Sequence, residues 1–354
     1  MTTTKRRLSA AIVAAAVLAL AGCSSTGAGP QSSTADASAP AATEGAFPVT
    51  LDNKFGTTVI ESQPERVVSV GYHEQDWLYA LGIAPVAVRE WYAGYDYATW
   101  PWADAARDAV GAEPVVLQNA EINVEQIASL DPDLIVATWS GITQEEYDLL
   151  SQIAPVVAQS GDYADYGMPF DEETRMIAAA VGKSDEGERI IADLDAKFAD
   201  VRDAHPGWTG KTAAVGFVYE GQPGAYFSHD PRPALLTKVG LDTTAIDALG
   251  DVDNDFYLSV SPERLDLLDL DTVLWLTALA PDTKAQIEAM PSYPALAITA
   301  KGGHIWSDSA VFEGGFSFAS PLSQVYVVDA LIPQLEAALD EDPATLVPAI
   351  DAAA

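Results

Sequence analysis

The stretch SDEGERIIADLDAKFADVRDAH, Ser184 to His205, reads as one long helix. Ser184 is placed to cap it, and Asp185 and Glu186 put negative charge in the first turn, where the helix dipole favours it. Ile190, Ile191, Leu194, Phe198 and Val201 recur at helical spacing and form one apolar stripe. Pro206 and Gly207 follow His205 and cannot continue the ladder. At ~1.5 Å per residue the helix spans roughly 30 Å, the width of a small domain. An ordinary amphipathic surface helix has the same pattern, and what separates the two readings lies on its flanks.

A pattern before the helix returns after it. Upstream stands NVEQIASLDPDLIV, residues 123–136; downstream stands SPERLDLLDLDTVL, residues 261–274. In register, Glu125 meets Glu263, Ile127 meets Leu265 and Leu130 meets Leu268, while Asp131 and Asp133 meet Asp269 and Asp271. Each copy predicts a capped short helix, an Asp-x-Asp turn and then a buried strand. Helix followed by buried strand is half of a parallel-sheet unit. The echo therefore predicts two similar lobes with the long helix between them.

Around this centre the alternation is consistent. Before the helix, strands are predicted at 55–60, 67–70, 83–88, 115–117, 134–137 and 154–158, with helices at 74–81 and 143–152. After it come strands at 211–219, 273–276 and 304–306 and helices at 232–239 and 321–339. Strand and helix in turn imply an α/β fold in both halves.

The ends of the chain carry other information. Lys5, Arg6 and Arg7 precede the apolar run Leu8 to Leu20, which has signal-peptide length and is too short to span a bilayer. Leu20-Ala21-Gly22-Cys23 resembles a lipobox, so 1–22 reads as a leader and Cys23 as the lipidated residue. A plain secretory cleavage site is the alternative. Cys23 is the single cysteine, so nothing downstream can form a disulfide or thiolate metal site. Residues 23–46, rich in Ser, Thr, Ala, Gly and Pro, read as a tether. Acidic residues number 52 and basic ones 18, a formal charge of −34. Three of those basic residues lie in the leader, and no basic patch is left for nucleic acid.

The segment WYAGYDYATWPW, residues 91–102, holds six aromatics in twelve positions and follows neither strand nor helix periodicity. It reads as a loop, where Tyr and Trp offer contact area with a polar handle. Plugging the lobe's own core is the plainer role for any one of them.

In the order and spacing of its pieces the chain resembles the iron–siderophore binding lipoproteins of bacterial ABC importers. The wider group includes the cobalamin- and haem-binding proteins. The pieces are QPERVVS (63–69), ALGIAPV (80–86), the two echoed segments, Gly182-Lys183 and Ser320-Pro321-Leu322-Ser323. The resemblance implies a class III solute-binding fold: two Rossmann-like α/β lobes, 47–170 and 208–354, with a helical connector at 171–207 containing the bridging helix 184–205. It implies no enzyme and no cofactor, a monomer lipid-anchored outside the cell membrane, and an ABC permease as partner. It makes Glu125 and Glu263 the permease-docking residues, although a first-turn glutamate at each helix is the ordinary reading.

For the ligand, the expected contacts are Arg89, Trp91, Tyr92, Tyr95, Trp100 and Trp139 from the first lobe. Tyr219, Tyr226 and Arg232 are expected from the second, with Tyr163 a further candidate and His229 read as an exposed loop histidine. A planar guanidinium can hydrogen-bond the iron-bound oxygens of a hydroxamate siderophore. Ferric catecholates are strongly anionic and demand several cations, whereas only Arg89 and Arg232 are on offer. A ferric hydroxamate, already filling its iron shell, fits this better and needs no metal ligand from the protein. Haem, with Tyr92, Tyr219 or His73 as axial ligand, and cobalamin are the alternatives. A hydrolase is remote: Gly315-Phe-Ser317-Phe-Ala319 lacks the final glycine of a nucleophile elbow and no histidine follows it.

Overall fold

The computed structural model describes residues 46–118, 121–252 and 255–350. Residues 1–45, including Cys23 and the stretches read as leader and tether, lie outside the described residues. Among the described residues no helix is long and apolar enough to cross a membrane.

The chain opens with an antiparallel hairpin, β1 (Val49–Asn53) and β2 (Gly56–Ile60). The first main sheet holds β3 (Val67–Ser69), β4 (Ala87–Arg89), β5 (Val115–Leu117), β6 (Leu134–Ala137) and β7 (Val156–Ala158). Its order is β5-β4-β3-β6-β7 and every pairing is parallel. Strands β3, β6 and β7 are buried on both faces, which is why they read as unbroken apolar runs rather than alternating ones. Four helices connect them: α1 (Gln75–Ala80), α2 (Asp104–Val110), α3 (Val124–Ser129) and α4 (Gln144–Leu150).

Helix α5 (Phe170–Ala180) leads into α6 (Ser184–Ala204), the long helix. Its stripe serves two cores. Ile190 packs against the first lobe's cluster around Trp77 and Ile177, while Leu194, Phe198 and Val201 belong to the second lobe's cluster. Gly187 lets α6 close on α5, since a Cβ there would stand 2.5 Å from the Ala178 methyl. One correction applies at its start: Ser184 is the first helical residue, Lys183 holds the cap position, and no side chain caps the helix.

The second sheet holds β8 (Ala213–Tyr219), β9 (Gln222–Tyr226), β10 (Tyr257–Ser259), β11 (Thr272–Leu276) and β12 (His304–Ser307), in the order β10-β9-β8-β11-β12. β8, β11 and β12 run parallel; β9 and β10 are antiparallel additions. Its helices are α7 (Pro231–Lys238), α8 (Thr283–Glu288), α9 (Ala297–Lys301), α10 (Ala310–Phe318) and α11 (Pro321–Ala338).

The differences from expectation have local causes. The strands expected from 83 and 154 begin only after Pro85 and Pro155, because proline cannot donate to a ladder. β9 hides behind Pro223 and Gly224. Its turn puts Glu220 at φ 50° and Gly221 at φ 79°, the two-residue geometry that suits a twisted hairpin. Gly224 is required because a Cβ would meet the Phe217 ring at 2.6 Å. The echo is imperfect as well. Asn123 caps α3 through Gln126 N–H, but the matching 262–268 stretch is a kinked 3-10 run and Ser261 makes no cap.

Candidate functional site

In an open parallel sheet, loops beyond the carboxyl ends of the strands build the crevice, most of all where strand order reverses. Here β3 lies between β4 and β6, so Tyr72 and His73 after β3, Trp91 and Tyr92 after β4, and Trp139 after β6 all emerge on one side. The second lobe presents Tyr219 at the end of β8, Tyr226 at the end of β9, and the Ser228–Arg232 segment opening α7.

These segments face each other across three hollows that share walls. One, of about 250 Å³, is lined by Tyr72, Trp91, Trp139 and Tyr166 from the first lobe and by His229, Asp230, Arg232, Phe256 and Ser317 from the second. A larger one, about 640 Å³, adds Tyr92, Phe217, Tyr219, Tyr226, Tyr257, Leu279 and Glu313. The third, about 530 Å³, runs toward the connector past Tyr163, Tyr166, Phe170, Asp171 and Lys238. The two larger hollows match small-molecule sites of ~300–1,000 Å³.

The floor is aromatic. Trp91 packs edge-on against Trp139 at 5.5 Å and Tyr92 at 4.9 Å, and Tyr166 meets Trp139 at 5.2 Å. The rim carries exposed apolar groups, Tyr219 at 65% and Leu279 at 70% exposure, with nothing above them to fill a core.

One guanidinium faces this space. Arg232 is held by Asp230 through two parallel bonds, Nε to Oδ1 and Nη2 to Oδ2, both 2.8 Å. Its carbon lies 3.6 Å from the centre of the Tyr226 ring. Asp230 also caps α7, accepting the Arg232 backbone N–H at 3.0 Å. Burial penalises the Arg232 charge, but Asp230 raises its pKa well above the usual range. The cation is therefore fixed in place and already neutralised. Burial pushes the Tyr92 and Tyr226 phenols upward, so both stay protonated hydrogen-bonding groups at neutral pH. In the third hollow, burial lowers the Lys238 pKa, and its ammonium lies 4.6 Å from the Phe170 ring centre.

Of the residues expected here, Trp91, Tyr92, Trp139, Tyr219, Tyr226 and Arg232 line these hollows. Three do not. Arg89 is buried behind Tyr72, 4.2 Å from its ring centre, and donates to the Val70 carbonyl at 3.1 Å; it borders a small void beside α3 instead. Trp100 is 2% exposed and wedged between Trp102, Phe318 and Gly314, a core residue. Tyr95 packs on Trp100 at 4.8 Å and lines none of the three hollows. His229 is exposed, as expected, but lines two of them. Tyr72, Tyr166, Phe256, Tyr257 and Leu279 went unnoticed, although Tyr72 and Leu279 stand within three residues of a strand's carboxyl end.

His73 is closed to haem, because both ring nitrogens already have protein partners. Gly315-Phe316-Ser317 lies inside α10, not at a strand-to-helix elbow. Among the described residues no group of His, Cys, Asp and Glu is arranged to hold a metal ion.

Two α/β lobes on one connecting helix, with an aromatic cleft between them and an Arg232 guanidinium already neutralised by Asp230, define a solute-binding protein. The sequence matches the periplasmic binding protein family over residues 67–303, and the chain belongs to that family. It is 30% identical over 244 residues to the probable siderophore-binding lipoprotein YfiY of Bacillus subtilis, covering 66% of this chain and 70% of that one. A periplasmic solute binding protein from Mycobacterium smegmatis superposes with a TM-score of 0.70 at 36% identity, over 82% of this chain and 98% of that one. PiaA of Streptococcus pneumoniae in complex with ferrichrome has the same fold, with a TM-score of 0.72 at 24% identity over 83% and 99% of the two chains.

Proposed function

We propose that this protein captures a ferric siderophore of the hydroxamate type outside the cell and passes it to an ABC permease. The observation that carries this is the charge of the cleft. Its one guanidinium is spent on Asp230, and Glu313 adds a buried carboxylate to the same wall. A strongly anionic ferric complex finds no surplus Lys or Arg in the two hollows that Arg232 lines, whereas a near-neutral complex finds aromatic walls and the Arg232 donors that Asp230 leaves over. The naming of YfiY as siderophore-binding and the ferrichrome bound to PiaA support the reading.

Delivery rests on Glu125 and Glu263. Both are exposed, each in the first turn of its helical segment. Lipid attachment at Cys23 would moor the protein beside its permease. Haem or cobalamin is the competing ligand class. Tryptophan quenching decides among ferrioxamine B, ferrichrome, a ferric catecholate, ferric citrate, haem and cobalamin. The reading predicts tightest binding to a hydroxamate complex. Preference for a catecholate, haem or cobalamin overturns it.

A further inference from the structure

At the inner end of the third hollow lies a cluster of ionisable groups, of which His73 and Glu173 touch that hollow and Glu74 lies behind them. His73, Glu74 and Glu173 are each at most 2% exposed. They come from three elements: the loop after β3, the residue opening α1, and α5. Gly71 exists for this cluster, since a Cβ there would collide with the Glu74 carboxylate at 1.8 Å.

The connections are specific. His73 Nδ1 lies 2.7 Å from the carbonyl oxygen of Phe318, at the end of α10 in the second lobe. A carbonyl only accepts, so Nδ1 carries a hydrogen. His73 Nε2 lies 3.0 Å from Glu173 Oε1, and a proton must occupy that gap for the contact to be attractive. The Thr138 hydroxyl donates to Glu173 Oε1 at 2.7 Å, and Glu74 Oε1 accepts the Trp139 backbone N–H at 2.8 Å. The His73 ring stacks on Trp139 at 4.3 Å and 22°. Trp139 lines two of the three hollows of the cleft. Phe318 in turn packs against Trp91 at 5.2 Å.

We propose that His73 is a positioning residue for the cleft. Its imidazole, bridged between Glu173 of one lobe and the Phe318 carbonyl of the other, fixes the Trp139 floor and the spacing of the lobes together, and holds them only while the shared proton is present. This rests on the reading of the cleft as the ligand site. The charged groups facing His73 are Glu74 on its own segment, Glu173 on α5 and Asp76 on α1; α10 and the β6 loop present only a carbonyl, Thr138 and Trp139. Burial disfavours the His73 charge, but Glu173 and Glu74 outweigh it and raise the pKa. The proton is therefore held to a higher pH than on a free imidazole and is lost as pH rises further.

The test uses ferrioxamine B and ferrichrome as probes, with affinity measured from pH 6 to 9.5, and amide hydrogen exchange at 138–140 and 317–320 without ligand. The wild-type protein should bind evenly near neutrality and weaken about tenfold at alkaline pH. Glu173→Gln supplies a permanent N–H to His73 while Thr138 reverses its bond. It should bind within about threefold of wild type at pH 7 and show a flat profile. His73→Phe, folded by circular dichroism, should lose affinity and lose protection at both segments. A Glu173→Gln profile parallel to wild type overturns the proposal, as does unchanged protection in His73→Phe. If neither iron complex binds wild type, the functional reading fails alone, and the ligand-free exchange still decides the role of His73.

Discussion

Replacing Asp230 by Asn separates the electrostatics of the cleft from its packing. Asp230 side-chain exposure is 5% and that of Arg232 is 21%, so the pair is largely but not wholly desolvated. Removing one partner of a fully buried pair costs roughly 3–5 kcal/mol. Arg232 keeps its Tyr226 contact and some water, which lowers the expected loss to about 2 kcal/mol. In a folded chain of about 300 residues that is a melting-temperature drop of about 3 °C. Asn retains an oxygen for the Arg232 backbone N–H, so the α7 cap survives. Asp230→Ala loses the cap too and should fall a further ~1 kcal/mol. The ligand response has a definite sign. A guanidinium released from its carboxylate favours anions, so ferric citrate affinity should rise about tenfold, equivalent to ~1.4 kcal/mol. Ferrioxamine B affinity should stay within about threefold, ~0.7 kcal/mol. Thermal unfolding and tryptophan quenching read both effects. Wild-type melting together with unchanged ferric citrate binding would refute the claim that Asp230 neutralises the cleft's cation.

Further outcomes follow from other contacts. Trp91→Ala should weaken hydroxamate binding by at least about tenfold, the loss of one aromatic anchor, and, since the indole also packs on Trp139 and Phe318, should lower the unfolding temperature as well. Gly314→Ala places a Cβ 2.2 Å from the buried Trp100 ring; the overpacking of about 1–3 kcal/mol should exceed the helix-propensity gain and lower the melting temperature. Burial pushes Asp76 up to about 6, only partly offset by hydrogen bonds from Ser320 and Trp102. The folded state thus binds its proton more tightly than the unfolded chain, and stability is lost as pH rises from about 4 through about 6. Asp76→Asn should remove that loss, seen as a flatter difference curve against wild type. Charge reversal at Glu125 and Glu263 together should abolish uptake and leave ligand affinity intact.

The long helix, the first sheet and the parallel strands β8, β11 and β12 of the second were legible because their signals are local. Stripes at 3.6 spacing and fully apolar runs such as Leu134–Ala137 announce burial without knowledge of partners. β9 was not, because Pro223 and Gly224 make a tertiary fit to Phe217 look like a loop. α10 was hidden in the same way by Gly314 and Gly315, whose close contacts are with Trp100 and Val327. The aromatic loop was recognised as a unit, but composition cannot tell which rings face out. Trp91 lines the cleft while Trp100 fills the core, and the difference lies in what α10 brings up behind them. Arg89 shows the same limit, since its burial against Tyr72 and the Val70 carbonyl depends on the neighbouring strand loop.

The most direct measurement is the position of iron in crystals grown with ferrioxamine B, located by anomalous scattering. The account predicts one iron site between Trp91, Tyr226 and Arg232, with every coordinating atom supplied by the siderophore. Iron bound to a protein side chain, or lying outside that cleft, would contradict it.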